Sequence, residues 1–579
     1  MSTSWGAAVG TGLAGLLLAG AGAGAQTTRD TTAAGVADSA AARRLPTVRV
    51  QVTRESSRSP LELPFAVTSV RPDSARPGQR HLSLDEQLQL LPGVTVANRS
   101  NPSQDPRISI RGFGSRSAFG VRGVRVLRDG MPLTLPDGQT PVDYMDLESV
   151  GRIEVIRGAA SALYGNASGG VIDVRTVEPP AGRVAAQLRG VLQNTSNDDG
   201  GRDVRRFGRW SAVVGGRAAG ERLRYQANVA HNDGEGYRDY ARQRLTSGFG
   251  RAVVRTAGTD VALTALLLDM PLAENPGALT YPEMAGDRRR ADPLSVARRA
   301  RKEVTQGQVG LSASRPVRGG DVFALAYGGW RSLYNPLTFN VVDVGRSTAG
   351  ASLRGSAVPV PLFGVTHRLS AGVDYQRQDD DRKNFNACNG RTAAPPAGCT
   401  VPVTSERGAV TLDQRELIQS VGPFVRDELR LGDRVSLSVG GRADVIKFRV
   451  EDHLVAGTNP DDSGDRTMRA FSPAVGVVTR LSLLHALYAN VSSAFETPTT
   501  TELGNQENGD AGINRDLKPQ YSTTYEIGMK GLVLNRVQYD IAGFVTPVRD
   551  ELIQFTAASS RSYFRNAGRT RRRGFESAL

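Results

Sequence analysis

The chain has 579 residues, 22 % of them charged, with 65 Gly, 30 Pro and a mean hydropathy of −0.30. That length exceeds one ordinary soluble domain, and the polarity excludes a helical membrane protein, which needs apolar runs of about twenty residues, but not a transmembrane β-barrel. The net charge of +14 comes mostly from Arg dispersed among acids; no basic, aromatic-studded block is present, so nucleic acid is not an expected partner.

Residues 1–25 read as an export signal. Gly6–Leu18 is rich in Ala, Gly and Leu, and Ala23-Gly24-Ala25 fits a small-x-small cleavage site, although no Lys or Arg precedes Arg29. Residues 26–44 form an Ala/Thr/Asp linker without periodicity. The segment 45–54 then alternates Val48, Val50 and Val52 with Arg49 and Gln51, the period of a strand. Ser83-Leu84-Asp85-Glu86 has the form of a capping box, with Ser83 as N-cap; Leu84, Leu88 and Leu91 share a helical face and Pro92-Gly93 ends it. Between 107 and 176, short β-branched strands (107–110, 124–127, 153–156, 171–176) alternate with Gly-rich turns. They predict a small sheet carrying loops, not a catalytic pocket.

From about Ala181 the pattern changes to recurring period-2 segments between polar loops. Leu223, Tyr225, Ala227 and Val229 alternate with Arg224, Gln226 and Asn228; Val435, Leu437 and Val439, and later Val537, Tyr539 and Ile541, do the same. Each fits a strand with one face to lipid and one to a wet lumen. Loops 194–202, 232–239, 274–292 and 453–466 are expected to face outward. At roughly 25 residues per strand and loop, the remainder makes about sixteen strands.

The only cysteines, Cys388 and Cys399, sit in a loop with ten residues between them. In an exported protein a disulfide is expected, worth roughly 3 kcal/mol by loop entropy; two thiols without nearby His make a poor zinc site. No HExxH, Walker A or GxSxG motif occurs, and the Gly112-Phe113-Gly114 pair lacks the third glycine of a dinucleotide loop. Residues 461–465 (DDSGD) read as a solvated turn before a Ca²⁺ loop. No enzyme activity, cofactor or metal is implied.

Four motifs in order carry a specific resemblance: Arg111-Gly112-Phe113-Gly114, Asp129-Gly130-Met131-Pro132, Ile153-Glu154-Val155-Ile156-Arg157-Gly158 and Ala162-Leu163-Tyr164-Gly165-Asn166 through Gly170. Together they resemble the plug of TonB-dependent outer-membrane receptors. The resemblance implies a membrane all-β barrel, twenty-two-stranded in the family and incomplete here, with an N-terminal α+β plug inside it: plug over 57–178, barrel over 181–579. A barrel left short at its C-terminal end, where the chain stops in Gly574-Phe575-Glu576, would expose two edges to lipid. That reading makes the chain a fragment or truncated product.

The resemblance also implies roles. Thr47, Val48, Arg49, Val50, Gln51 and Val52 lie where the TonB box would be, offered to the periplasmic energy transducer TonB by strand addition; a first plug strand is the other reading. Arg111, Asp129, Glu154, Arg157 and Asp173 are candidates for a polar plug–barrel seam, or else are solvated surface charges. A narrower similarity runs through Gly236-Tyr237-Arg238-Asp239, Pro276–Thr280, Phe495–Thr499 and Asn566–Arg572. It points to the branch importing pyrroloquinoline quinone, with relatives for ferric chelates. Such planar anions want Arg forks beside apolar surface, which Arg116, Phe119 and Arg122 would supply, with Asp137 and Gln139 adjacent and Tyr237 and Arg238 from a barrel loop. The implied function is energised uptake by an outer-membrane monomer in contact with lipid, TonB and a small anionic ligand. A passive porin, a surface binding protein or a non-functional fragment are the alternatives.

Overall fold

A computed structural model describes residues 50–579 apart from 53, 55–57, 73–80, 82–83, 98–100, 118–119, 143–144, 196–204, 389–398, 400–405, 457–458, 508–511, 535 and 557–561. The expected export signal and linker, Thr47, Val48 and Arg49, the N-cap Ser83, and Phe119 lie outside the described residues.

The N-terminal part forms a mixed sheet. Its strands are β1 (Val67–Val70), β2 (Val94–Ala97), β3 (Arg107–Ile110), β4 (Val124–Arg128), β5 (Met131–Pro132), β6 (Val150–Arg157) and β7 (Gly170–Thr176). The main sheet has the order β1-β6-β7-β4-β5, parallel only between β4 and β7, while β2 and β3 pair separately. The expected helix is a short one, Asp85–Leu88. Leu84, Leu88 and Leu91 are buried against Ile108, Ile110, Val124 and Val126, as the leucine spacing predicts. Gly170 opens β7 at φ 144°, where a Cβ would run into the Ile156 carbonyl oxygen; only glycine lets β6 and β7 pair there.

The rest is a barrel of seventeen strands in closed order, starting with β8 (Ala185–Thr195) and β9 (Arg205–Ala218) and ending with Arg569–Ala578. Val360–Leu362 prolongs Asn340–Ala357 along the same neighbour, which leaves sixteen staves, the number expected from length. Closure corrects the expectation of an open barrel with two edges in lipid. The closing seam is nonetheless the thinnest. No residue-by-residue register joins the described residues of the last strand and β8, unlike β8 with β9. Leu188 and Leu192 are 83 % and 90 % exposed, against 51 % and 54 % for lipid-facing Leu263 and Leu353.

Outward-facing residues fix where the bilayer lies. Trp210, Trp330, Tyr375, Phe471 and Tyr525 are exposed on the outer surface, eight to ten residues above the short-turn ends of their strands. That height fits a strand crossing of 9–11 residues bounded by an aromatic girdle. The boundary is sharp on three long adjacent staves, Val365–Ala387, Arg407–Leu431 and Val435–Asp452. The row Tyr375, Val421, Val445 is followed two residues on by Arg377, Gln419, Lys447, and then by Asp379, Leu417, Arg449. Above it the wall stands in water. Leu353→Arg, on the lipid face below this line, is expected to cost about 2–4 kcal/mol, measured by reversible unfolding from lipid vesicles.

Candidate functional site

The plug is held in the wall by ion pairs largely sorted by sign. On one sector plug cations meet barrel carboxylates, apart from Glu62 against Arg480 at 2.8 Å, which runs the other way. Arg111 places its guanidinium 2.5 Å from Glu526 and 2.9 Å from Glu576, and Arg157 lies 3.0 Å from Glu576 and 3.1 Å from Asp540. Arg58 pairs with Glu428 and Arg54 with Asp374, each at 2.8 Å. Lys530 of the wall caps the entering chain, donating to the carbonyls of Pro60, Leu63 and Phe65. On the opposite sector the signs reverse. Asp146 accepts from Arg209 at 2.8 Å and Asn228 at 2.8 Å, and Asp105 pairs with Lys302 at 2.8 Å.

Arg111 and Arg157 are therefore seam residues. Asp129 reaches Arg251 of the wall at 3.6 Å, but its hydrogen bonds go to Thr176 within the plug. Glu154 and Asp173 do not face the wall, which corrects their seam assignment. They are register partners on β6 and β7 and turn toward the plug's own chain. Asp173 pairs with Arg175. The seam is also not wholly polar, because Phe249, Leu266 and Leu325 of the wall join the plug core.

Glu154 has a different task. Its carboxylate accepts the backbone N–H groups of Gln51 at 2.7 Å and Val52 at 2.8 Å, and Tyr164 donates to the Val52 carbonyl. Val50 pairs with Arg58 by backbone bonds of 2.8 and 2.9 Å, and Val50 and Val52 are fully buried. The described half of the strand-like segment is thus tied into the plug. Beneath it, burial pushes the Asp173 carboxyl up to about 6, Arg175 opposing while Glu154 and Asp129 add.

On the outward face, Arg116 lies 2.6 Å from Glu496 and 3.2 Å from Glu502, and Arg122 lies 3.1 Å from Glu502 while donating to the carbonyls of Thr497 at 2.7 Å and Asp137 at 3.0 Å. Both acids belong to one barrel strand end and the loop after it. Glu502 closes a capping box with Thr499 at the head of the short helix Thr500–Leu503, which folds inward over the plug. Arg122 is 4 % exposed and engaged through its two terminal nitrogens, whereas Arg116 keeps 22 % of its side chain open. The Asp137 carboxylate accepts from the Gln139 N–H at 3.0 Å, and burial raises its pKa against the pull of Arg346. So Arg116, Arg122, Asp137 and Gln139 come together. Tyr237 and Arg238 form a separate group: Arg238 staples two barrel loops through the carbonyls of Pro276 and Arg290, and Tyr237 stands half exposed with Arg289 over its ring. Cys388 and Cys399 are joined by a disulfide.

The wall acids Glu496, Glu502, Glu526, Asp540 and Glu576 are the partners of the plug arginines that the sequence alone does not name. Thr499-Thr500-Thr501-Glu502 is a readable capping box. The others occupy lumen-facing alternate positions, which mark them as inward but do not name a partner.

Two family models match the chain: a TonB-dependent receptor plug domain over 59–171, and a TonB-dependent receptor-like β-barrel over 166–579. Among curated proteins the chain is 31 % identical over 138 residues to a hemin receptor of Yersinia enterocolitica, covering 24 % of this chain and 19 % of that one. It is 30 % identical over 129 residues to a ferric enterobactin receptor of Pseudomonas aeruginosa, covering 20 % and 16 %. The matched stretches span under a fifth of these relatives' lengths. Among solved structures, the ferric citrate transporter FecA in its unliganded form aligns with a TM-score of 0.71 at 18 % identity, over 89 % of this chain and 74 % of that one. The pyoverdine receptor FpvA of Pseudomonas aeruginosa aligns with 0.69 at 16 %, over 91 % and 76 %. These two likenesses speak to the fold.

Two outcomes are expected. Glu154→Ala leaves two N–H groups without their acceptor, at about 1–3 kcal/mol, so amide exchange at residues 51 and 52 accelerates at least about fivefold by mass spectrometry. Because the Asp173 pKa lies above its ordinary carboxylate value, the folded plug binds that proton more tightly and gains stability as pH falls from about 6 toward 4. Asp173→Asn removes this gain, which thermal unfolding across pH reads.

Proposed function

The chain belongs to the TonB-dependent receptors, a family of outer-membrane β-barrels, and from that membership we propose that it takes up a scarce anionic iron chelate, driven through TonB. The observation that carries this reading is a plug filling the lumen and fastened by ion pairs, with the strand-like segment at residues 50–52 attached to it. A passive pore needs no such stopper. The segment offers TonB an extended edge once Glu154 lets go.

The outward Arg116 supports an anionic cargo. Its partners Glu496 and Glu502 are the charges a ligand carboxylate or catecholate would displace. Release of Glu496 would also loosen Arg122, so binding outside bears directly on the seam. Iron chelates are favoured by the receptors named above. A haem cargo would find one open histidine: His453 stands half exposed beside Asp413 and lines a cavity with Trp330 and Arg331, whereas His81 lies against Arg189 and Glu148, His231 against Thr246, His367 against Asp427 and His485 against Tyr539. Pyrroloquinoline quinone, a tricarboxylate, is the competing ligand of the same charge class.

The test is radioiron uptake, supplied as ferric citrate or ferric enterobactin, in cells lacking other receptors. Saturable uptake that vanishes without TonB is expected, and Arg116→Gln should raise the half-saturating concentration about tenfold. Uptake indifferent to TonB would establish a porin instead, and accumulation of the quinone without iron would change the cargo.

A further inference from the structure

Below the plug, toward the short-turn ends of the strands, lies a cavity of about 1050 Å³ between β6, β7 and the wall from Leu223–Glu235 to Asn340–Ala357. Seven arginines and four carboxylates line it. Most of the arginines are answered by acids: Arg152 by Glu154, Arg175 by Asp173, Arg224 by Asp260 and Arg54 by Asp374. Three of those acids, Glu154, Asp173 and Asp374, are almost fully buried and stand behind the lining, so the lining itself sets seven guanidinium groups against the four carboxylates of Asp129, Glu178, Asp260 and Asp321.

Arg354 is the exception. No carboxylate stands within ion-pair distance of it among the described residues, and its guanidinium is stacked 3.8 Å over the ring of Phe323. It shares the cavity with Arg54 and Arg175. A half-buried cation of this kind, in a space with low-dielectric walls, concentrates anions. Stacked on an aromatic face, it suits a flat carboxylate or phenolate group.

We infer that this chamber is a second, inner binding site for a small polyanion, centred on Arg354 and Phe323. It rests on the import reading only for the direction of travel: cargo leaving the outer site along the cationic wall sector would be received here. Gln51 and Arg54 of the strand-like segment are part of the lining. Withdrawal of that segment therefore removes one of the chamber's cations and opens its floor in the same movement.

The experiment places one reactive thiol in the lining of the full chain. The native cysteines are bridged and none is free, so Ser312→Cys supplies the only target. In detergent, the anionic methanethiosulfonate reagent is expected to react about tenfold faster than the cationic one, as field focusing predicts, and citrate as the probe polyanion should slow it. With Arg354→Gln added, the two reagents should react at rates within about twofold of each other and citrate protection should disappear; Arg354→Lys should keep both effects. Heat-modifiable gel mobility verifies that each variant is folded. Equal rates in the parent thiol protein, no protection by citrate, or a preference unchanged by Arg354→Gln would each overturn the inference. None of these rates needs transport. If uptake fails while the preference and protection hold, the import reading falls and the inner site stands.

Discussion

Everything in this molecule depends on charges that are buried only because they are paired. A guanidinium such as Arg111 or Arg157, almost wholly excluded from water, is intolerable without its carboxylates. Those carboxylates, projecting into a lumen, are no better off alone. Sorting by sign turns this mutual need into registry. Apart from Glu62 with Arg480, plug cations face wall acids on one side and plug acids face wall cations on the other, so a plug rotated about the barrel axis brings mostly like charges together. The apolar contacts of Phe249, Leu266 and Leu325 add adhesion but would accept many orientations. The ion pairs accept one.

The same arrangement makes the plug removable in principle. Exchanging a buried ion pair for water releases two hydrated ions, so an ionic seam returns on opening much of what it cost to bury. An apolar seam returns nothing. Both sectors mix the two kinds of contact, since Phe424 of the wall packs into the plug beside Val50 and Tyr164 and Leu61 packs against Val478 and Tyr488.

Much of the fold was legible in the sequence because it depends on local rules. Alternation placed the wall strands, the leucine spacing placed Leu84, Leu88 and Leu91 in the plug core, and the glycine-rich motifs bracketed β3 to β7. The cysteine pair was readable from its loop. What could not be read was pairing at long range. Arg111 meets Glu526 and Glu576 more than four hundred residues away, and no local period encodes that. Glu154 and Asp173 were assigned to the seam from their motif neighbourhood; strand register turned them inward to each other and to residues 51 and 52. Arg122 was expected to wait for ligand, but the loop after Glu496 folds in and occupies it. Counting strands from length succeeded, because each stave consumes a similar stretch of chain, and the described strands close in order.

The staves are of very unequal height. Val365–Ala387 and Arg407–Leu431 have 23 and 25 residues, whereas His485–Glu496 has 12. At about 3.3 Å per residue, and with one common membrane boundary, the disulfide-tipped hairpin stands as a parapet on one flank of the mouth. Beside the short strands the rim is raised again, not by the wall but by a separate hairpin, Leu552–Thr556 with Ser562–Asn566, inserted between Val537–Arg549 and Arg569–Ala578. The mouth is therefore walled on one flank by the barrel itself and on another by a hairpin that can move without bending a stave.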